Sequence, residues 1–164
     1  MARVLIVGCG CRGSELARAL VQSGHAVRGT TRREDRLAAI EATGAEAVLA
    51  DPNRLGTLLS KLQGVSVLCW LMGTAAADEP EAVAALHDER LDALLETLVD
   101  THVRGAVYEA AGTVAPAMLE RGSQIARRAG ETYRMPVALV SVPPGDPQGW
   151  MADAVRAVNA VLDA

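Results

Sequence analysis

The chain has 164 residues, half of them hydrophobic, with a formal net charge of −4 and only four aromatic side chains: Trp70, Trp150, Tyr108 and Tyr133. That length suits one domain whose core is built from Ala, Val and Leu rather than from rings. The negative balance argues against a nucleic-acid partner, no apolar run reaches a membrane span, and three cysteines make no disulfide framework. Arg3 is followed by a short strand and glycines rather than by a signal-type core, so a soluble cytoplasmic protein is expected.

Residues 3–8 read as a first strand, with Val4, Leu5, Ile6 and Val7 as its apolar run. The chain then turns through Gly8-Cys9-Gly10-Cys11-Arg12-Gly13 and enters a helix over 12–23, where Leu16, Ala17 and Leu20 share a face. G-x-G-x-x-G between a buried-type strand and an amphipathic helix is a dinucleotide-site pattern. Gly8 permits the tight turn, Gly10 lets a pyrophosphate approach the backbone, and Gly13 lets the helix sit close to the strand. The helix N-terminus offers free N–H groups and its positive dipole end. The plain alternative is a glycine-rich turn that binds nothing.

Gly24 closes the first helix, and residues 25–30 read as a second strand. A loop at Thr31-Arg32-Arg33 leads to a helix over 34–43, closed by Gly44. Residues 45–50 read as a third strand, 54–62 as a short helix closed by Gly64, and 65–71 as a continuous apolar strand of the buried, parallel kind. After a Gly, Thr and Ala loop, residues 81–101 form the longest predicted helix, with a break near His87-Asp88. Residues 105–110 read as the fifth strand, 117–129 as a helix closed by Gly130, 136–142 as the sixth strand, and 148–162 as the last helix. Alternating strands and helices imply right-handed crossovers. The expected fold is a Rossmann-type doubly wound parallel sheet of order 3-2-1-4-5-6 in a three-layer α/β/α sandwich.

In that fold the loop after the second strand meets the adenosine ribose. Here Thr30-Thr31-Arg32-Arg33 supplies two hydroxyls and two guanidinium groups, which suit a 2′-phosphate and favour NADP over NAD. As a solvated helix start the same arginines mean nothing, and Glu34 or Asp35 binding a ribose hydroxyl keeps NAD open. Arg12 either adds a second cation near the phosphates or points into water.

Three stretches, Val4-Leu5-Ile6-Val7-Gly8-Cys9-Gly10, Arg28-Gly29-Thr30-Thr31-Arg32 and Ala50-Asp51, resemble the nucleotide-binding half of the extended and atypical short-chain dehydrogenases. The look is that of the NAD-dependent epimerase/dehydratase-like and NmrA-like proteins. Arg104-Gly105-Ala106-Val107-Tyr108-Glu109-Ala110 is similar to their fifth strand. Met135-Pro136-Val137-Ala138-Leu139-Val140, with Pro143-Pro144-Gly145 after it, is similar to their sixth. The resemblance implies a single NAD(P)-binding domain over 1–164. It also implies that Asp51 contacts the adenine region, that Leu71-Met72-Gly73 lies beside the cofactor's middle, and that Ala110-Ala111-Gly112 lies near the nicotinamide. For Asp51, an N-cap is the alternative.

The family's reaction uses a Tyr with a Lys four residues later and a Ser or Thr upstream, and this sequence departs from that pattern. Four residues after Tyr108 stands Gly112, four after Tyr133 stands Val137, and the single lysine, Lys61, precedes the fourth strand at the amino end of the sheet. Ala110 and Ala111 stand where the Ser would be, and Thr113 is one hydroxyl without a partner. Glu109 as a base or Tyr108 as a donor are the remaining catalytic candidates, against a reading as one core ring and one surface carboxylate. His87 reads as a solvated surface residue, with a place facing the cleft as the alternative if the long helix breaks there, and His102 sits at the wrong end of the sheet. Cys9 and Cys11 read as small residues of a tight turn, with lowered thiol pKa values as the alternative, and no metal site completes around them. Trp70 reads as packing.

The segment beyond the sixth strand, where extended members bind substrate, is a single helix. The expectation is therefore an NADP-binding protein of the epimerase/dehydratase or reductase kind, with an unknown small-molecule substrate if it is an enzyme. The alternative is a non-catalytic NADP(H) sensor or interaction module. A homodimer paired through helices would be one way to build the missing substrate wall.

Overall fold

A computed structural model describes residues 1–164. Six parallel strands, β1 (Arg3–Val7), β2 (Ala26–Thr31), β3 (Glu46–Leu49), β4 (Val67–Trp70), β5 (Gly105–Glu109) and β6 (Val137–Val140), form one sheet in the order β3-β2-β1-β4-β5-β6. Seven helices connect and follow them: α1 (Cys11–Gln22), α2 (Leu37–Glu41), α3 (Leu55–Leu59), α4 (Pro80–Leu86), α5 (Glu89–Leu98), α6 (Pro116–Tyr133) and α7 (Pro147–Leu162). None of the helices is long and apolar enough to cross a membrane.

The apolar runs of β4 and β5 are buried along their whole length, as central strands covered on both faces require. Side-chain alternation splits them between two cores. Leu5, Val7, Leu68, Trp70, Ala106 and Tyr108 pack on the side of α5 and α6. Val4, Ile6, Val67, Cys69 and Val107 pack on the side of α1 and α7. Tyr108 and Glu109, adjacent in sequence, therefore point to opposite faces. The edge strands β3 and β6 are half-exposed, and they, like the fully buried β4, are shorter than their apolar runs suggested.

Three features differ from the sequence reading, each for a physical reason. Helices α4, α6 and α7 start one residue early, on Pro80, Pro116 and Pro147, because proline's missing N–H is harmless at the first helical position. For α7, the Asp146 carboxylate caps the start by accepting the Gly149 N–H at 3.0 Å. Gly130 does not close α6. The helix runs on to Tyr133 and turns at Arg134 with a φ of +52°, while a Cβ at Gly130 would stand only 3.2 Å from the Met135 carbonyl and from Val137. The 34–43 helix is a 3-10 turn at Glu34–Arg36 followed by the short α2. The long helix does break at His87-Asp88, into α4 and α5.

Sheet order reverses direction at β1, which pairs with both β2 and β4. The loops leaving β1 and β4 diverge there, and a crevice opens at the carboxyl ends of the strands.

Candidate functional site

The crevice is floored by the glycine turn. Gly8 has a φ of +86°, and a Cβ there would overlap Met72 and the Leu71 carbonyl. A Cβ at Gly13 would stand 2.8 Å from the Gly8 carbonyl oxygen, so α1 rests directly on the turn. Gly10 is different: a Cβ there would meet nothing within 4 Å. Its side faces open space above the first turn of α1. The backbone N–H groups of Cys11, Arg12 and Gly13 have no backbone acceptor, whereas that of Ser14 donates to the Gly10 carbonyl.

Two compartments lie on either side of this turn. One, of about 270 Å³, runs from Gly8, Cys9 and Gly10 past Thr30, Thr31, Arg32, Arg33 and Arg36 to Ala50, Pro52 and Asn53, with Leu71, Met72 and Thr74 on its other wall. The second, of about 260 Å³, is lined by Gly8, Gly10, Cys11, Arg12, Gly13, Leu71, Thr74 and Trp150. The two share Gly8, Gly10, Leu71 and Thr74, so a long ligand would cross the glycine turn from one to the other.

The arginines of the first compartment are not equivalent. Arg33 is clamped by Asp35 through two hydrogen bonds of 3.0 and 2.6 Å, and each group holds the other in its charged form. Arg32 and Arg36 form no ion pair. Arg36 went unnoticed in the sequence because a helix beginning at Glu34 treats it as one more surface cation. The 3-10 turn instead aims it inward, where its charge acts on Cys9. Asp51 is absorbed in its own turn: its Oδ1 accepts the Asn53 N–H at 2.9 Å, so it neither lines the crevice nor caps α3.

The second compartment is built around a carboxylate that sequence reasoning misplaced. Glu109 is fully buried, with none of its surface exposed, on the α1 and α7 side of β5. Its carboxylate accepts three hydrogen bonds: from the Gly73 N–H at 2.7 Å, Trp150 Nε1 at 2.8 Å and the Arg12 guanidinium at 3.0 Å. Arg12 lies over the Trp150 ring, 5.2 Å from its centre, and also donates to Thr74 Oγ1 at 3.1 Å. Glu109 is thus neither a surface carboxylate nor a free base, because its carboxylate is engaged by three donors and no solvent reaches it. One signal was available. A carboxylate ending a fully apolar strand must find a cation, and Arg12 is the arginine inside the adjoining turn.

Tyr108 faces the other way. Its hydroxyl donates to His87 Nδ1 at 2.6 Å, while His87 Nε2–H donates to the Met72 carbonyl at 3.0 Å. Burial, with the Glu109 charge, pushes the phenol's pKa upward, so Tyr108 is a core residue rather than an acid or base for the crevice. His87 is buried, not solvated, because the break between α4 and α5 turns it inward. Thr113 is exposed and Ala111 half-buried on the loop after β5; neither lines a compartment. Gly73 is buried beneath the wall, where a Cβ would overlap the Ala111 carbonyl. Burial raises the Cys9 thiol despite its Ser14 contact and Arg36, so Cys9 is no activated nucleophile, while Cys11 is exposed in the second compartment. Trp70 is core, its Nε1 donating to the Leu86 carbonyl at 2.9 Å.

The His87 chain gives a pH dependence. Burial lowers the His87 pKa, so the folded protein prefers the neutral ring. Its contribution is intact above the unfolded value of about 6.5 and is lost as pH falls from there through the folded pKa. Urea unfolding is expected to show stability declining below about pH 6.5, a slope that His87→Asn flattens.

A family model described as TrkA-N domain matches residues 4–104. NADP-dependent 3-hydroxy acid dehydrogenase YdfG of Salmonella typhi is 31% identical over 129 residues, covering 72% of this chain and 49% of that protein. The chain spans about half the length of the curated relatives it matches. Among solved structures, BdcA (YjgI) from E. coli superposes with a TM-score of 0.75 at 18% identity, covering 94% of this chain and 89% of that one. UDP-glucuronic acid 4-epimerase from Bacillus cereus, in complex with NAD, gives a TM-score of 0.67 at 17% identity, covering 84% of this chain and 55% of that one. At such identities these two likenesses speak for the fold alone.

Proposed function

The chain belongs to the TrkA-N domain family and has the Rossmann architecture of NAD(P)-binding domains, and from that premise we propose that it binds NADP(H) across the glycine turn. The observation that carries this reading is the open cradle at Gly10. A backbone position with no Cβ and nothing within 4 Å stands above three N–H groups without backbone acceptors, at the positive end of α1. A diphosphate fits that place by size and charge. The buried Arg12 Nε, which has no acceptor within the protein, also fits a ligand that brings oxygen atoms to the turn.

Preference for NADP rests on the end of β2. Arg32 and Arg36 are cations without a partner on the compartment wall, and a 2′-phosphate would give them one. The carboxylates that would favour NAD are not offered: Asp35 is taken by Arg33, and Glu34 does not line the compartment. The relative named as NADP-dependent agrees with this preference.

Bound NADP(H) supplies a hydride couple, and the residues of this chain bind and orient it. The positions of Tyr108, Glu109 and Lys61 favour binding without turnover by the chain alone. Tyr108 points into the opposite core and Glu109 is sealed. Lys61 lies at the amino end of the sheet, where its carbonyl accepts from Arg28. A reductase or epimerase-type activity like that of its relatives is the second reading.

Titration with NADP⁺ and NAD⁺ tests the proposal. NADP⁺ is expected to bind about tenfold tighter or more, roughly 1.4 kcal/mol. Arg32→Ala and Arg36→Ala should each shrink that ratio, and the double variant should bring it near one. An unchanged ratio would remove the 2′-phosphate assignment. With NADPH and a panel of aldehydes and ketones, the same protein is expected to bind without steady oxidation; steady oxidation would favour the second reading.

A further inference from the structure

We propose that Arg12 is the donor that holds the second half of the dinucleotide, and that Glu109 is the positioning residue that aims it. The inference rests on the dinucleotide reading and adds which residue grips the half beyond the glycine turn.

Several side-chain and backbone donors around the second compartment are already spent within the protein. The Gly73 N–H and Trp150 Nε1 are both spent on Glu109. At the carboxyl end of β6, the N–H groups of Ser141 and Val142 are spent on Asp153, at 2.7 and 3.2 Å. Burial would raise the Asp153 pKa, but those N–H groups and Arg156 outweigh it and hold the carboxyl below its ordinary range, so this cap stays in place at neutral pH. Apart from the backbone N–H groups of Cys11, Arg12 and Gly13, which the diphosphate would take, and the Thr74 hydroxyl, what is left is the Arg12 guanidinium. One terminal nitrogen of its guanidinium serves both Thr74 and Glu109. Its Nε is buried without an acceptor, and its other terminal nitrogen makes no hydrogen bond within the protein. A buried N–H without an acceptor is costly and rare, and the natural remedy is an acceptor supplied by a ligand.

Glu109 decides where those donors point and what they take. It is wholly buried, held by three donors, and ties Arg12 down from β5, while Trp150 supports the guanidinium plane from α7. The Arg12 side chain keeps 28% of its surface exposed, toward the compartment. The paired charges nearly cancel, so the site offers directed N–H groups rather than a free positive charge. That suits oxygen acceptors of the nicotinamide ribose, its carboxamide or the adjacent phosphate. The adenylate half, on the other side of the turn, would not touch Arg12.

The test compares NADP⁺ with 2′,5′-ADP, which carries the adenylate half and the 2′-phosphate alone. Wild type is expected to bind NADP⁺ more tightly. Arg12→Gln and Glu109→Gln should each weaken NADP⁺ by about tenfold, as expected for a hydrogen bond to a charged group, and leave 2′,5′-ADP within about twofold. The double variant should be no worse than the worse single, because the two act as one unit. A merely structural role for Glu109 would move both ligands together and would overturn the inference. So would an Arg12→Gln protein, altered only at the half-exposed start of α1, that binds NADP⁺ as wild type does. If wild type binds 2′,5′-ADP and NADP⁺ equally, the inference falls and the adenylate site stands. If wild type binds neither, the dinucleotide reading falls and takes the inference with it.

Discussion

Replacing Gly10 by valine is expected to abolish measurable dinucleotide binding while leaving the fold intact. These two effects separate at this glycine for a structural reason. A Cβ at Gly8 would overlap Met72, and one at Gly13 would press on the Gly8 carbonyl, so either change disturbs the turn itself. At Gly10 a Cβ meets no protein atom within 4 Å, and the backbone φ of −80° is one that any residue adopts. The space it would fill is the approach to the N–H groups of Cys11, Arg12 and Gly13. Losing two hydrogen bonds to a charged diphosphate, at about 1.5–3 kcal/mol each, predicts at least a hundredfold weaker binding. Thermal unfolding of the variant should match wild type within a degree or two, and Gly10→Ala should fold equally well. A Gly10→Val protein that still binds NADP⁺ tightly would show that the phosphates do not lie on this turn.

Gly122→Val is expected to have the largest effect on stability, through a contact far from the crevice. Gly122 lies on the buried face of α6, directly over Tyr108, and a Cβ there would overlap the phenol hydroxyl and its ring carbon. The ring cannot move aside. Its hydroxyl is bonded to His87 at 2.6 Å, and His87 is bonded in turn to the Met72 carbonyl. Accommodating valine therefore means lifting α6 off β5 or breaking this chain. Overpacking of this kind costs about 3 kcal/mol, and the loss of the Tyr108–His87 bond would add to it. Chemical denaturation should show a midpoint lowered accordingly, with Tyr108→Phe restoring only part of it because the ring carbon still overlaps. A variant as stable as wild type would mean that α6 does not seat on Tyr108 as described.

Much of this fold was legible in the sequence because it follows from short-range patterns. Alternating apolar runs and amphipathic stretches fixed six strands and their parallel order, and G-x-G-x-x-G marked the crevice. What the sequence concealed depends on pairs far apart along the chain. Arg12 and Glu109 are 97 positions apart, and Trp150 reaches Glu109 across 41. No local pattern links them; the hints were a carboxylate at the end of an apolar strand, which must find a cation, and the alternation along β5, which sends Glu109 toward α1 and α7. Arg36 was hidden by a different cause, since a 3-10 turn and a regular helix present the same residues in different directions. Gly130 shows the limit of reading glycine as a stop. A glycine inside a helix can serve close packing, and the left-handed residue that ends α6 is Arg134.

NADP(H) binding across the glycine turn is open to direct measurement. Calorimetric titration of the wild-type protein with NADP⁺ and NAD⁺ side by side tests it most directly. One dinucleotide per chain is expected to bind, with NADP⁺ clearly the tighter of the two. No heat of binding from either dinucleotide, with the protein folded, would contradict it.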